Sequence, residues 1–298
     1  MKKFGFLFSV ILTAIAIPGC YNALGYSPIN QTIRGVDITN RAAVQEAMKL
    51  VLDANPGREI NLIFEDVTNG PVWKANNVYY ATSTNTNRIV SITLPSDVVG
   101  IENGIGTNNN AFSVFKGLKT FNAPGITSVG NYAFHGCKAL TTINCSELKS
   151  VGDNAFYGCT ELITINSSEL ETIGQQAFDE CSSLTTIVGS KITSIGEMAF
   201  GSCTSLKTIN LPVVTSIGDY AFTDCYTLTD VFFGSTPPSL GSGIFRQTGT
   251  GMSPIAIHVP NLGSYTGSPW LALQSGISAN SDAGTWGSGH KAIQLVSP

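Results

Sequence analysis

Along residues 89–235 the apolar and polar positions of the chain recur with a step of 22 residues. The pair Ala-Phe returns at Phe134, Phe156, Phe178, Phe200 and Phe222. Gly130, Gly152, Gly174, Gly196 and Gly218 keep the same step, as do Cys137, Cys159, Cys181, Cys203 and Cys225. Leu140, Leu162, Leu184, Leu206 and Leu228, followed by Ile143, Ile165, Ile187, Ile209 and Val231, complete the columns. One step upstream Phe112, Leu118 and Phe121 hold the register, and Ile89, Ile92 and Leu94 echo it after a longer spacer.

Within one unit, Phe134, Cys137 and Leu140 are spaced to lie along one side of a short helical segment. Asn131, Asp153 and Asp219 stand where an N-cap would accept free backbone N–H groups. Leu140 to Cys145 then alternates, with Ile143 and Cys145 inward and Thr142 and Asn144 outward, as a strand requires. Ser150-Val151-Gly152 supplies a second, shorter extended piece. A lone unit cannot bury its apolar side, whereas stacked units share a continuous core. The pattern therefore predicts an α/β solenoid of short parallel strands, at ~4.8 Å per rung, capped at both ends.

The units GNYAFHGCKALTTI, GDNAFYGCTELITI, GQQAFDECSSLTTI, GEMAFGSCTSLKTI and GDYAFTDCYTLTDV resemble BspA-like (Treponema-type) leucine-rich repeats. The resemblance covers about half the chain and implies a leucine-rich-repeat right-handed superhelix. The family is largely one of bacterial cell-surface and secreted proteins. Some are adhesins for fibronectin, fibrinogen or other cells, so the resemblance implies an interaction module.

Residues 20–88 and 236–298 lack the period and are expected as an N-terminal α/β cap and a C-terminal cap. Thr39 or Asn40 would cap a helix over Arg41 to Ala54, ended by Asn55-Pro56-Gly57. Ile60, Leu62 and Phe64 alternate as a strand, and Val72 to Thr82 offers another. Past Pro237-Pro238, which breaks the period, Ile255 to Val259 and Ile293 to Val296 read as strands. The Gly- and Ser-rich stretch from Gly263 to Gly289 reads as loop, with Trp270 and Trp286 as packing anchors.

The N-terminus reads as an address. Lys2 and Lys3 precede an apolar run from Phe4 to Ile17, 14 residues long, too short for a ~30 Å hydrocarbon core. It ends in Ile17-Pro18-Gly19-Cys20, which resembles a bacterial lipobox. Residues 1–19 are then a lipoprotein signal peptide and Cys20 the lipidated residue, ordinary signal-peptidase cleavage being the alternative. The expectation is an exported, membrane-anchored lipoprotein of the outer membrane or cell surface, touching the membrane through its lipid anchor only.

Composition narrows the function. Charged residues make up 12 %, half the usual ~25 %. Their place is taken by 30 Thr, 29 Ser and 22 Asn. A net charge of −4 without a basic cluster argues against nucleic acid. Five of the seven Cys share one column, where parallel Cβ vectors suit neither a disulfide nor tetrahedral zinc. They read as buried thiols acting as small hydrophobes, and Cys145 likewise. His135 reads as surface filler, while His258 and His290 have no partner at metal-ligand spacing. Gly104-Ile-Gly106 lacks the third glycine of a phosphate loop. Glu169 with Glu171, and Asp179 with Glu180, are carboxylate pairs on turns that offer no shared cleft. No catalytic, cofactor or metal residue is assigned, and the chain is read as non-enzymatic.

The informative surface is the outward face of the strands. Thr120, Thr142, Thr164, Thr186 and Thr208 form one column; Asn122, Asn144, Asn166 and Asn210 form a second, broken by Val188. Asp230 and Phe232 change the pattern at the C-terminal end. Solvent-facing strands favour Thr, and Asn stacks into ladders, so both columns have a structural reading. Their functional reading is a flat, uncharged, hydrogen-bonding plate with an apolar spot at Val188 and Phe232. Such a plate suits a protein ligand, a host matrix or cell-surface protein, better than a small substrate. The alternatives are a glycan-binding lipoprotein, for which Phe232 is the one aromatic candidate on the plate, or a structural envelope protein.

Overall fold

The computed structural model describes residues 28–38, 40–67, 72–73, 86–103, 112–247, 255–266 and 293–296. Cys20, Trp270, Trp286, His290, the signal segment and most of the expected 263–289 loop lie outside them. In chain order the first elements are β1 (Ile29–Arg34), α1 (Arg41–Ala54), β2 (Ile60–Glu65), β3 (Val72–Trp73), β4 (Ile89–Thr93) and β5 (Gly100–Ile101). Long and two-residue strands then alternate: β6 (Thr120–Asn122), β7 (Ser128–Val129), β8 (Thr142–Asn144), β9 (Ser150–Val151), β10 (Thr164–Asn166) and β11 (Thr172–Ile173). The series continues with β12 (Thr186–Val188), β13 (Ser194–Ile195), β14 (Thr208–Leu211), β15 (Ser216–Ile217), β16 (Asp230–Phe233) and β17 (Ser239–Leu240). β18 (Ile255–His258) and β19 (Ile293–Val296) follow.

The strands pair in parallel, like on like: Thr142, Thr164 and Thr186 are cross-strand partners, as are Ile143, Ile165 and Ile187. The long strands form one sheet in the order β1-β2-β4-β6-β8-β10-β12 and a second in the order β14-β16-β18-β19. The short strands run unbroken as β3-β5-β7-β9-β11-β13-β15-β17. The non-repeating N-terminal segment thus adds β1 and β2 to the same sheet that the repeats build. The division of the long-strand face falls beside Gly189, where other units place Cys145, Ser167, Leu211 or Phe233.

Between Gly130 and Leu140, and in each homologous stretch, the structure replaces the expected short helical segment with linked turns. The reason lies in where the N–H groups go. Tyr132, Phe134 and Gly136 donate to the carbonyls of Asp153, Ala155 and Tyr157 in the next rung at 2.7–2.9 Å. These bonds cross rungs, which an i→i−4 helix cannot do. The price is a left-handed residue in each turn, Tyr132, Asn154, Gln176, Met198 and Tyr220, with φ of 50–58°. The N-cap reading of Asn131, Asp153 and Asp219 is corrected accordingly. Their Oδ1 atoms accept the N–H of Asp153, Gln175 and Ser242 in the following rung at 2.7–2.8 Å.

The threonines at the corners have a related role. Thr141, Thr185, Thr193 and Thr215 each donate a hydroxyl to a carbonyl 22 residues back, at 2.9–3.2 Å. Such bonds occupy carbonyl lone pairs at turns, which accounts for part of the chain's threonine content.

The core is a file of phenylalanines. Phe112, Phe134, Phe156, Phe178, Phe200, Phe222 and Phe245 stack at 4.7–5.6 Å between centroids, within the range of favourable aromatic pairs. The file carries on to Phe245, past Pro237-Pro238. At the other end α1 packs Val44, Ala47, Met48 and Val51 into the core. Asn40 caps it through Oδ1, which accepts the Ala43 N–H at 3.3 Å. Its C-terminal carbonyls meet the Arg88 guanidinium, which donates to Leu52 at 3.0 Å and also to Asn55, a favourable charge at that end of a helix.

Candidate functional site

The outward side chains of the long strands form the face expected from the sequence, in two parts. On β6 to β12 the partners are Thr120–Thr142–Thr164–Thr186, with Asn122 beside Asn144 and Asn166 beside Val188. On β14 to β18, Thr208 pairs with Asp230 and Asp230 with Ala256, while Asn210 pairs with Phe232 and Phe232 with His258. Thr186, Thr208, Asn144, Asn166 and Asn210 are exposed; Thr120, Thr142, Thr164, Asn122 and Asp230 are half-buried.

Part of this face is spent on itself. Asn144 donates its amide to Asn122 Oδ1, and Asn122 donates to Thr93 Oγ1 at 3.3 Å. Thr164 donates to Asn166 Oδ1 at 3.0 Å. Toward the C-terminal end two apolar side chains interrupt the polar face, with Val188 47 % and Phe232 38 % exposed and exposed Asn210 at the intervening column position. The Phe232 ring stacks on the His258 imidazole at 4.2 Å and 11°. His258 Nε2 lies 2.7 Å from Asp230 Oδ1, and Thr229 donates to Asp230 Oδ2 at 2.7 Å. The hydrogen bonds from His258 and Thr229 hold the Asp230 carboxyl below its ordinary range. Sequence reasoning placed His258 outward but not its contact with Asp230 and Phe232, which requires the 28-residue step from one strand to the next.

The cysteine column points inward. The six described cysteines are free and buried. Each column thiol donates to a phenylalanine carbonyl 25 residues back, Cys181 to Phe156 and Cys203 to Phe178, both at 3.1 Å. Burial pushes the Cys137 and Cys145 thiols up to about 12, and the other thiols rise for the same reason. These are weak hydrogen-bond donors in the core, poor as nucleophiles or metal ligands.

Along the short strands runs an open groove of about 450 Å³, lined by Ser128, Ser150, Thr172 and Ser194 with Asn131 and Asp153. Its glycines are dictated by rung spacing: a Cβ on Gly152 would stand 2.3 Å from Asn131 Oδ1 and 2.7 Å from Asn131 N. Among the described residues no three His, Cys, Asp or Glu side chains come together to hold a metal. No described helix is long and apolar enough to cross a membrane.

The turn side carries a cluster that sequence reasoning passed over. His135 stacks on Tyr157 at 4.9 Å and 9°, and Tyr132 approaches His135 at 5.9 Å and 43°. The Tyr157 hydroxyl donates to Glu180 Oε1 at 2.7 Å. That bond and burial push the Tyr157 hydroxyl up to about 12. Burial lowers His135. A sequence signal existed: aromatics fall in two variable columns of adjacent units, where other units carry Gly201 and Thr223.

A family model described as "BspA type Leucine rich repeat region" matches the chain in six copies, over residues 76–191, 105–229 and 173–266. Among curated proteins there is no match. Among solved structures, the chain is similar to a leucine-rich-repeat protein of T. pallidum, with 22% identity over 69% of this chain and 78% of that one, at a TM-score of 0.44. A leucine-rich cell-surface protein of Faecalibacterium prausnitzii matches with 21% identity over 55% of this chain and 59% of that one, at 0.39. A leucine-rich-repeat protein of Bacteroides ovatus matches with 18% identity over 80% of this chain and 78% of that one, at 0.34.

Proposed function

The chain belongs to the BspA-type leucine-rich-repeat family, and from that premise we propose that it is a cell-surface, non-enzymatic module that binds a protein ligand through its long-strand face. The observation that carries this reading is that exposed Val188 and Phe232 interrupt an uncharged Thr/Asn surface on that face. Interfaces of this kind draw their energy from a few apolar and aromatic anchors within a hydrogen-bonding surround. Here Phe232 is the anchor, held in orientation by its stack on His258, and Asn166 and Asn210 are the surround. Exposed strand side chains of Thr and Asn around one aromatic suit a macromolecule better than a small substrate, which would want a concave apolar pocket.

The ligand class we put first is a host extracellular-matrix protein. The test is equilibrium binding of the purified protein to immobilised fibronectin and fibrinogen, with albumin as control. Saturable binding of micromolar strength or better, absent for albumin, supports the reading; binding no better than albumin retires the matrix ligand. Display at the surface follows in this account from lipidation of Cys20. Cys20→Ser would move the protein from the detergent phase to the aqueous phase on phase partition, and an unchanged distribution ends the lipoprotein reading.

A further inference from the structure

Beyond the strand face, we propose that the turn-side cluster around Tyr132, His135 and Tyr157 is a saccharide-binding site. The aromatics there are not demands of the fold. The column of His135 and Tyr157 continues as Asp179, Gly201 and Thr223, and that of Tyr132 as Asn154, Gln176, Met198 and Tyr220. The solenoid therefore accepts non-aromatic residues at both places, and only at the first of these units do aromatics from the two columns meet.

The cluster has a floor, a wall and two polar groups. Its floor is Gly136 and Gly158, successive members of a left-handed column with φ of 69° and 67°. Later members of that column are Glu180, Ser202 and Asp224, so among the five complete units these two rungs alone carry no side chain of their own at this position. Lys116 reaches forward over the first, its Nζ 3.8 Å from where a Gly136 Cβ would stand. Glu180 reaches back over the second, its Oε2 3.9 Å from the corresponding point on Gly158. An ammonium and a carboxylate thus converge on adjacent rungs, ~4.8 Å apart. They are not among the ion pairs of the described residues.

The wall is aromatic. His135 and Tyr157 lie flat on each other, and the Tyr157 hydroxyl is fixed by Glu180 Oε1. Tyr132 is half-exposed, and its one ring contact among the described residues is a tilted approach to His135. It can therefore take an apolar ligand face. A pyranose presents that combination: a C–H face for a ring, and hydroxyls that each donate and accept. One hydroxyl can donate to Glu180 Oε2 while another accepts from Lys116, both charge-assisted bonds. The site is on the opposite kind of surface from the strand face, so the two could be occupied together.

The test is a broad glycan array probed with the purified protein, followed by titration of the best-retained oligosaccharide. Variants borrow residues that the chain uses in the same columns, so each sits in a turn the fold already forms: Tyr132→Asn, after Asn154, and Tyr157→Thr, after Thr223. Each is expected to weaken saccharide binding about tenfold, as loss of an aromatic contact implies. Glu180→Gln should weaken it several-fold by removing the charge from one hydrogen bond. The strand-face variant Asn166→Lys should leave saccharide binding unchanged, which separates this site from the proposed protein interface. Retention of no glycan overturns the proposal. So does retention that survives both tyrosine changes, and so does loss of protein-ligand binding alone when they are made.

Discussion

Removing one ring from the phenylalanine file is the sharpest perturbation of the fold. Phe178 is fully buried, with neighbouring rings at 5.3 Å and 5.5 Å on either side. Phe178→Ala deletes a whole buried ring and leaves a cavity between two rungs, for a cost of ~3–5 kcal/mol. The loss of two stacked partners, each worth ~0.5–1.5 kcal/mol beyond area, places it toward the upper end of that range. Phe178→Leu keeps most of the apolar volume and should cost less than the truncation. Urea unfolding monitored by circular dichroism reads both. The account expects Phe178→Ala to lower the midpoint further than Phe178→Leu. A loss below ~1 kcal/mol at Phe178, well under the ~3–5 kcal/mol typical of such truncations, would refute the reasoning that the file carries the core.

Other outcomes follow from the same geometry. Gly152→Ala should destabilise strongly, since its Cβ would stand 2.3 Å from Asn131 Oδ1; a melting temperature within a degree or two of the parent would contradict the rung packing. Thr193→Val removes a hydroxyl that donates to Glu171 O at 3.1 Å and should cost ~1 kcal/mol, measurable by the same unfolding assay. Burial raises the Asp179 carboxyl, so between its unfolded and folded values the native state holds more protons and stability falls as pH rises. Asp179→Asn should flatten that slope over the carboxylate range, and an unchanged slope would argue against it. Asp230 is held low by His258, with the opposite sign: its contribution is present above the unfolded value and lost as pH falls through the folded one. Asp230→Asn should remove that acid-side loss.

Most of the fold was legible because a 22-residue step turns each core contact into a visible column. Phe134, Cys137, Leu140 and Ile143 are all buried, as their spacing implied, and α1 begins and ends where its cap and Asn-Pro-Gly stop place it. The linked turns were not legible. Spacing of Phe134, Cys137 and Leu140 is equally consistent with helix and with turns, and only the cross-rung hydrogen bonds decide. The same limit applied to Asn131 and Asp153, whose acceptor role is one rung further on than a cap would be. On the surface, Thr and Asn columns were readable as outward, whereas the Asp230–His258–Phe232 contact and the Tyr132–His135–Tyr157 cluster depend on side chains meeting between rungs.

The central functional claim is that the long-strand face is a protein interface anchored near Phe232. It is tested most directly by comparing matrix-protein affinity of the parent protein, Phe232→Ala and the Thr164→Lys/Asn166→Lys double variant, each first shown to unfold at the parental midpoint. The account predicts a loss of at least ~30-fold for Phe232→Ala, the ~2 kcal/mol of an interface anchor, and a clear weakening for the double variant. Unaltered affinity in both would contradict it and move the interface off this face.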